Sequence, residues 1–444
     1  MDQPIRSSAK PPCLREDALA VLRRLREAGH VAYFAGGCVR DELMGLTPTD
    51  YDIATDAPPQ RVRELFSRTE AVGQAFGVIL VRHRRSVIEV ATFRSEGTYV
   101  DGRRPSSVRF TSAEEDARRR DFTINGLFLD PIENRVIDYV GGREDLQARR
   151  LRAIGNPDER FAEDHLRLLR AVRFAARFDL QLDPATAGAI SRHAPQLIRI
   201  SPERIAEELR LMLCPVTRRL AWPMLWELSL VQQIFRFIPA EEGKAYEPSR
   251  SIFAKMAPDQ PLAFGEALAA ATLCWQWQPM PADADVRVLL QPPVIETAVR
   301  ACRKALRISN DEKKLMRDTL EWAGAMLADA QPTVAAMKRL LASPHAAETR
   351  HLLQAIGQVG QHGQRIDWLQ QQFDQLAGTD VAPPPLITGD DLVAAGFRPG
   401  PIFKLILQRI YDAQLEGRIT SRQEALDLAR REAAAADASS ARRP

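Results

Sequence analysis

AGGCVRD at residues 35–41, followed by DYDIAT at residues 50–55, is the stretch that decides the fold and chemistry of this chain. Glycine has no Cβ atom, so the Gly36–Gly37 turn lets backbone N–H groups approach an anion closely. Asp50 and Asp52 are two residues apart on a predicted strand, so both carboxylates project from one face. Such a pair could hold two divalent cations roughly 3.5–4 Å apart. DYD alone could be a solvated strand end; its coupling to GGCVRD favours a metal site.

We expect two further features to belong to the same site. A short helix beginning near Arg40 would direct its positive end toward the same anion. Glu89 alternates with apolar Ile88 and Val90 in the predicted strand SVIEVATFR, so its side chain projects from the strand face opposite to theirs. Glu89 is the candidate third carboxylate of a magnesium site, and an outward-facing strand glutamate is the alternative. Mg²⁺ prefers such hard oxygen ligands and completes its coordination with phosphates and water.

Two later motifs set polar side chains beside apolar runs. RRDFTING at residues 119–126 places arginines and an aspartate next to an amide that could contact a sugar hydroxyl. RFAEDHLRLLRAVRF at residues 160–174 is predicted to be one helix with a polar ridge. A salt-bridged amphipathic helix is the simplest interpretation. A neighbouring carboxylate and guanidinium could also hydrogen-bond the edge of a base, and the ridge residues are Asp164, Arg167, Arg170 and Arg173.

The alternation of strand and helix patterns predicts an α+β fold. Strand-like runs alternate with short helices through about residue 140, which indicates a small mixed-sheet head. From residue 157 onward, apolar residues recur at helical spacing and strand signals nearly vanish. The prediction is a small mixed-sheet head followed by an elongated, all-helical arm. Residues 240–262 are predicted to be a long loop or an insertion.

Composition narrows the class of protein. The chain has 444 residues and a net charge of +3, so no global basic field indicates nucleic acid, although arginines cluster locally. Five scattered cysteines without a CxxC pair argue against disulfides or zinc and favour the reducing cytoplasm. We find no secretory signal and no membrane-spanning run. None of the seven histidines precedes an aspartate, which argues against a phosphohydrolase centre.

The motifs together resemble the class II tRNA nucleotidyltransferase and bacterial poly(A) polymerase family. GGCVRD with DYD is followed in family order by TFRSEGTYVDGRRPSSVRF, RRDFTING, RFAEDHLRLLRAVRF and SPERIAEEL. The resemblance is continuous from about residue 30 to 215 and returns at 306–315 and 386–407. Gly126 is a departure, because the family usually has alanine there. That difference implies a small loss of packing and no change in chemistry.

The resemblance implies roles for individual residues. It implies two Mg²⁺ ions on Asp50 and Asp52, and ATP and CTP as substrates. Glu89 stays the candidate third catalytic carboxylate on the strand pattern alone. The resemblance implies nucleotide binding, from phosphates through ribose to base, by Gly36, Gly37, Arg40, Arg119, Arg120, Asp121, Asn125, Asp164, Arg167, Arg170 and Arg173. It also implies that the helices after the head are braced by Glu203, Arg204 and Glu207.

The resemblance further implies a division of the chain. We expect a flexible N-terminal tail and a disordered C-terminus around a catalytic head, a nucleotide-reading neck, a helical body and a helical tail that contacts tRNA. The boundaries are 1–12 for the N-terminal tail, 13–155 for the head, 156–215 for the neck, 216–380 for the body, 381–430 for the helical tail and 431–444 for the C-terminus.

Members of this family differ in their product. The full-length segment 94–118 disfavours the CC-only members, and the C-terminus shows no strongly basic extension of the poly(A) polymerase kind. We therefore predict CCA addition to the tRNA 3′ end, with contacts to the acceptor stem and elbow, by a monomer or homodimer. A-only addition, poly(A) synthesis and an inactive RNA-binding relative are the alternatives. A small-molecule nucleotidyltransferase is disfavoured, because a small acceptor would not need the long helical arm.

Overall fold

The computed structural model describes residues 14–71, 77–97, 107–238, 247–281, 283–397 and 402–440. The chain divides into two compact units. The first contains the described residues up to Met212 together with Leu220–Arg236, and the second contains Leu213–Arg219 and those from Phe237 onward. The predicted N-terminal tail, residues 1–12, lies outside the described residues.

A seven-stranded mixed sheet forms the centre of the first unit. Its order is β3-β4-β5-β2-β1-β8-β9, and β2 pairs with β5 in parallel while the other pairs are antiparallel. Two-stranded sheets pair β6 with β7 and β10 with β11. The strands are β1 Ala32–Ala35, β2 Asp52–Thr55, β3 Thr69–Glu70, β4 Val78–His83, β5 Ser86–Thr92, β6 Arg94–Glu96, β7 Val108–Phe110, β8 Phe128–Asp130, β9 Arg135–Ile137, β10 Arg150–Leu151 and β11 Gln181–Leu182.

Helices cover the sheet and continue beyond it. In α1 the apolar residues Ala18, Val21, Leu22 and Leu25 recur at helical spacing and are buried against strand residues such as Ile53. The helices of this unit are α1 Arg15–Glu27, α2 Gly37–Leu43, α3 Pro59–Leu65, α4 Ala113–Arg118, α5 Gly142–Gln147, α6 Pro157–Glu163, α7 Arg167–Phe178, α8 Pro184–His193, α9 Pro202–Leu213, α10 Arg218–Glu227 and α11 Leu230–Phe235.

The described part of the second unit is helical. Its helices are α12 Ile252–Lys255, α13 Phe264–Trp277, α14 Pro292–Leu306, α15 Asn310–Leu327, α16 Val334–Leu341, α17 Ala346–Gln358, α18 Gly363–Ala377, α19 Gly389–Ala394, α20 Ile402–Leu415 and α21 Arg422–Ser440. The last three share a core of their own that includes Leu392, Ile406, Ile410 and Ala429.

The predicted α+β plan is confirmed, and two of its details differ in the structure. Residues 240–262, predicted as a loop, are described from 247 and contain a 3-10 helix at Pro248–Arg250 and then α12. Helix α21 runs to Ser440, into the segment 431–444 predicted to be disordered, because its alanines favour helix. Four cysteines are described, and none of these four forms a disulfide bond. Within the described ranges, no helix is long and apolar enough to cross a membrane.

The space at Gly126 is already filled. A Cβ atom on Gly126 would lie 2.7 Å from Val140 Cγ2 and 3.3 Å from Ile154 Cδ1. The packing loss expected from the missing methyl is therefore not found, because the Val140 side chain takes its place.

We expect Gly126→Ala to lower the free energy of unfolding by about 1–2 kcal/mol, because overpacking forces neighbouring side chains to shift. Urea denaturation of both proteins would measure this. Adding Val140→Ala should recover most of the loss. A neutral or stabilising Gly126→Ala would show that Val140 does not fill the space.

Candidate active site

The turn between β1 and α2 can hold only glycine at residue 36. Gly36 has a φ of +69°, in the left-handed region that L side chains rarely adopt. A Cβ atom there would also lie 2.8 Å from Arg120 Nη1. Gly37 begins α2. Because glycine has no side chain, the Arg120 guanidinium can lie close to the backbone of this turn, at one end of a cavity.

This cavity has a volume of about 760 Å³ and is lined mainly by charged side chains. Arginines outnumber aspartates nine to five, so the lining suits a polyanion such as a triphosphate. The arginines are Arg40, Arg94, Arg119, Arg120, Arg167, Arg170, Arg173, Arg177 and Arg204, and the aspartates are Asp41, Asp50, Asp52, Asp121 and Asp164. All belong to the first unit.

Asp50 and Asp52 lie beside the glycine turn. Asp52 begins β2, opposite Ala35 at the end of β1. Tyr51, between the two aspartates, is buried, and its hydroxyl donates to Glu42 Oε1 at 2.8 Å. With Tyr51 directed inward, Asp50 is exposed and Asp52 is partly buried at the cavity. The predicted pair therefore lies at the cavity, at the start of the central strand β2.

Glu89 lies near this pair on the neighbouring strand. β5 runs parallel to β2 with Ile53 opposite Val90, so alternation places Glu89 on the same sheet face as Asp52. Glu89 is partly buried and is absent from the cavity lining. Across the described residues, no three His, Cys, Asp or Glu side chains approach closely enough to hold a metal ion together. The role of Glu89 as a third carboxylate stays a prediction.

Asp121 and Asn125 form one hydrogen-bonded network with two arginines. Asp121 Oδ1 accepts from Asn125 Nδ2 at 3.0 Å, and Oδ2 accepts from Arg170 Nε at 2.9 Å and Nη2 at 2.6 Å. Asn125 Oδ1 in turn accepts from Arg40 Nη1 at 2.6 Å. Burial raises the pKa of Asp121, but Arg170 and hydrogen bonds from Asn125 and the Phe122 N–H outweigh it, so that the pKa falls below its ordinary value. The carboxylate is therefore ionised at neutral pH.

We expect Asp121→Asn to lower the free energy of unfolding by about 1–3 kcal/mol at pH 7, because it removes the charge that pairs with Arg170. The folded-state pKa of Asp121 is depressed, so its stabilisation is complete above the unfolded pKa of about 3.9 and is lost as pH falls through the folded value. Urea denaturation at pH 7, 5 and 3.5 should show the gap between wild type and variant narrowing below about pH 4. A gap independent of pH would contradict this assignment.

Arg119 and Arg120 are held from behind by one buried carboxylate. Asp116 is 1% exposed and accepts from Arg119 Nε and Nη2 at 2.9 and 2.7 Å, and from Arg120 Nε and Nη2 at 3.2 and 3.0 Å. Arg120 Nη1 also donates to the Asn125 carbonyl at 3.3 Å. Asp116 thus holds both predicted arginines in place where they line the cavity.

Asp164 and Arg167 do not share a helix, so the predicted single ridge is wrong. α6 ends at Glu163 and α7 begins at Arg167. The backbone of Asp164 is extended, and its carboxylate accepts from the Leu166 N–H at 3.1 Å. A short polar side chain that bonds the nearby backbone in this way competes with helix continuation. Both residues still line the cavity.

Their polar groups are fixed by different partners. Asp164 Oδ2 accepts from Arg204 Nη2 at 3.1 Å. Arg167 Nη1 donates to Glu163 Oε2 at 2.5 Å and to the Arg160 carbonyl at 2.9 Å. The break between α6 and α7 therefore presents a held carboxylate and a held guanidinium to one cavity.

The brace predicted for Glu207 is formed by its neighbour. Glu207 is exposed and pairs with Arg210 at 3.5 Å. Glu208 is buried and accepts from Arg173 Nε at 2.7 Å, which joins α9 to α7. Burial raises the pKa of Glu208, although Arg173 and Arg170 oppose the rise. Arg204 Nη2 donates to Asp164 Oδ2 at 3.1 Å, which links α9 to the segment between α6 and α7, and Glu203 is exposed on the same helix.

Phe174 lies in the cavity wall. It is 5% exposed, and the Cζ of Arg173 lies 4.4 Å from its ring centroid, with Arg170 at 5.2 Å and Arg40 at 5.3 Å. The face of an aromatic ring attracts cations, so the Phe174 ring helps to stabilise guanidiniums gathered at the cavity.

The sequence motifs missed most of the carboxylates that orient the arginines. Two of these could have been found by helical spacing, since Asp116 precedes Arg119 and Arg120 by three and four residues, and Glu163 precedes Arg167 by four. Glu208 had no such local signal. Arg94 and Arg177 also line the cavity and were not singled out.

Three protein-family models match parts of this chain. A model of the poly(A) polymerase head domain matches residues 32–152, and one described as "Probable RNA and SrmB- binding site of polymerase A" matches residues 179–241. A model for domain 2 of tRNA nucleotidyltransferases matches residues 287–429.

Two relatives and one solved structure that are similar to this chain are all named CCA-adding enzymes. A CCA-adding enzyme of Lacticaseibacillus paracasei is 33% identical over 401 residues, 90% of this chain and 92% of that protein. A CCA-adding enzyme of Bacillus subtilis is 45% identical over 227 residues, 51% of this chain and 57% of that protein. The crystal structure of the Bacillus stearothermophilus CCA-adding enzyme in complex with CTP matches with a TM-score of 0.69 and 28% identity, over 96% of this chain and 99% of that one. The chain has an arginine-lined cavity beside an aspartate pair, and it aligns with a 33% identical CCA-adding enzyme over about nine-tenths of both proteins. The chain therefore belongs to the CCA-adding enzyme family of nucleotidyltransferases.

Proposed function

We propose that this chain adds C, C and A to the 3′ end of tRNA, using CTP and ATP and releasing pyrophosphate. The observation that carries the proposal is a single cavity in which an aspartate pair, a triphosphate-sized set of arginines and the Asp164–Arg167 break meet. No template strand is needed, because protein side chains supply the hydrogen-bond donors and acceptors that a template base would otherwise present to the incoming base. The site lies within one unit of one chain, so a monomer suffices, and a homodimer would carry two such sites. Contact of the helical tail with the tRNA elbow and a cytoplasmic location stay predictions.

The donor set fits magnesium. Asp50 and Asp52 offer hard oxygen atoms at the cavity, and Mg²⁺ typically binds one or two carboxylates together with substrate phosphates and water. Asp50 and Asp52 would hold two Mg²⁺ ions. Ions bound there would lower the pKa of the RNA 3′-hydroxyl and would neutralise charge on the transferring phosphate.

The side chains of this chain carry the remaining tasks. Arg40, Arg119 and Arg120 bind the triphosphate and keep it oriented, because guanidinium forks match phosphate oxygens. Asp121 and Asn125 bind the ribose hydroxyls through the network that links them. The 3′-hydroxyl then loses its proton to solvent and its oxygen attacks the α-phosphate in line, so that the O3′–Pα bond forms and the bond to pyrophosphate breaks.

Selection of the base falls to Asp164 and Arg167, with Arg170 and Arg173 behind them. A carboxylate accepts hydrogen bonds and a guanidinium donates them, so the pair can match the donors and acceptors on the edge of cytosine or adenine. Their partners Arg204 and Glu163 restrict the rotamers available to the pair. A held pair discriminates better than a mobile one.

One assay separates this proposal from its alternatives. Purified protein is given transcripts ending before C74, transcripts ending in CC, or an unrelated RNA, with CTP, ATP or both. Incorporation of two C residues and then one A on tRNA alone is expected. A onto CC ends only indicates A-addition, long A tails on any RNA indicate poly(A) synthesis, and no incorporation indicates an RNA-binding relative.

A further inference from the structure

Asp116 lies behind the cavity wall and is not part of its lining. In addition to the bonds that Oδ1 accepts from Arg119 and Oδ2 from Arg120, Oδ1 accepts from the Arg94 N–H at 3.2 Å. Arg94, Arg119 and Arg120 all line the cavity. One buried carboxylate thus anchors three cavity residues, two by their guanidiniums and one by its backbone.

The geometry of these bonds fixes the arginine forks. Asp116 uses the Nε–Nη2 edge of both guanidiniums. Arg120 Nη1 is thereby held against Gly36, at the glycine turn. An unanchored arginine has many rotamers, and ordering it would cost binding free energy each time a nucleotide enters. Asp116 removes that cost before the ligand arrives.

We propose that Asp116 is a positioning residue for the incoming nucleotide: it holds Arg119 and Arg120 in the orientation in which they bind its phosphates. This inference rests on the proposed function of the cavity. Asp116 touches no substrate itself. Because phosphate contacts of this kind are made equally before and during transfer, Asp116 acts on nucleotide binding more than on the chemical step.

Asp116→Asn is the direct test. The amide keeps one acceptor oxygen, but its NH₂ group faces arginine donors, so at least one fork is released. We expect the KM for CTP and ATP to rise about tenfold, with kcat changed much less, and the Kd for CTP to weaken by a similar factor. Isothermal titration would give the Kd without turnover.

Asp130→Asn is the matched control. Asp130 is also 1% exposed and pairs with Arg26, but it lies at the end of β8 away from the glycine turn. We expect this variant to lose stability and to keep the CTP affinity of wild type. An Asp116→Asn variant that likewise loses only stability, with wild-type CTP affinity, would overturn the proposal.

A double-mutant cycle asks whether Asp116 acts through the arginines. In a chain that carries Arg119→Ala and Arg120→Ala, Asp116→Asn should weaken CTP binding no further. An equal weakening in both backgrounds contradicts positioning. If Asp116→Asn does not fold, Asp116→Glu is measured in its place: its longer side chain should also weaken CTP binding, and wild-type affinity would overturn the proposal. Wild-type protein that binds CTP but extends no RNA refutes the proposed function while leaving the Asp116 test intact.

Discussion

Asp52→Ala is expected to abolish nucleotide transfer while leaving tRNA binding nearly intact. Asp52 begins β2 next to the glycine turn, and the buried Tyr51 keeps it and Asp50 at the cavity. If the pair holds the metal, its loss removes the group that activates the 3′-hydroxyl. The turnover number should fall by about 10³-fold or more, equivalent to about 4 kcal/mol of transition-state stabilisation.

The measurement pairs single-turnover transfer with tRNA binding in a gel-shift assay. Asp56→Asn is the control, because Asp56 follows the same strand, is absent from the cavity lining and can still accept from the Val31 N–H as an amide. Glu89→Gln, tested alongside, decides whether a third carboxylate takes part: a loss as deep as that of Asp52→Ala assigns Glu89 to the metal site. Substantial turnover by Asp52→Ala in Mg²⁺ would refute the metal role.

Local patterns predicted the parts of the site that depend on neighbouring residues. The two-residue period of a strand places Asp50 and Asp52 together, and the glycine turn follows from a backbone that no side chain could adopt. The runs DYDIAT and SVIEVATFR were predicted to be strands, and they contain β2 and β5. All of these depend on contacts within a few residues.

The partners of the arginines could not be predicted in this way. Asp121 and Arg170 are 49 residues apart, and Arg173 and Glu208 are 35 apart. Which of Glu207 and Glu208 faces α7 depends on the rotation of α9 about its axis, which packing decides. Helical spacing likewise continues across residues 163–167, so it could not reveal that the Asp164 side chain ends one helix and precedes another.

Arg167→Ala is expected to weaken the choice between C and A more than it weakens nucleotide binding. Arg167 is 8% exposed, and Glu163 and the Arg160 carbonyl hold its guanidinium. A group fixed in this way can reject a base whose edge offers the wrong donors and acceptors, because the mismatch leaves buried polar atoms unpaired. Alanine removes the donors and leaves the arginines that bind the phosphates in place.

The ratio of kcat/KM for CTP and ATP, measured on tRNA ending before C74 and on tRNA ending in CC, gives the effect. We expect discrimination to fall about a hundredfold in Arg167→Ala, or about 2.7 kcal/mol. Arg192→Ala is the matched control, because Arg192 is also ion-paired but lies outside the cavity lining. If Arg167 contacted only phosphate, both nucleotides would lose equally and the ratio would stay at the wild-type value. A changed CTP-to-ATP ratio with an intact Kd for the triphosphate would instead assign base selection to the break between α6 and α7. A protein side chain would then select the base in place of a nucleic-acid template.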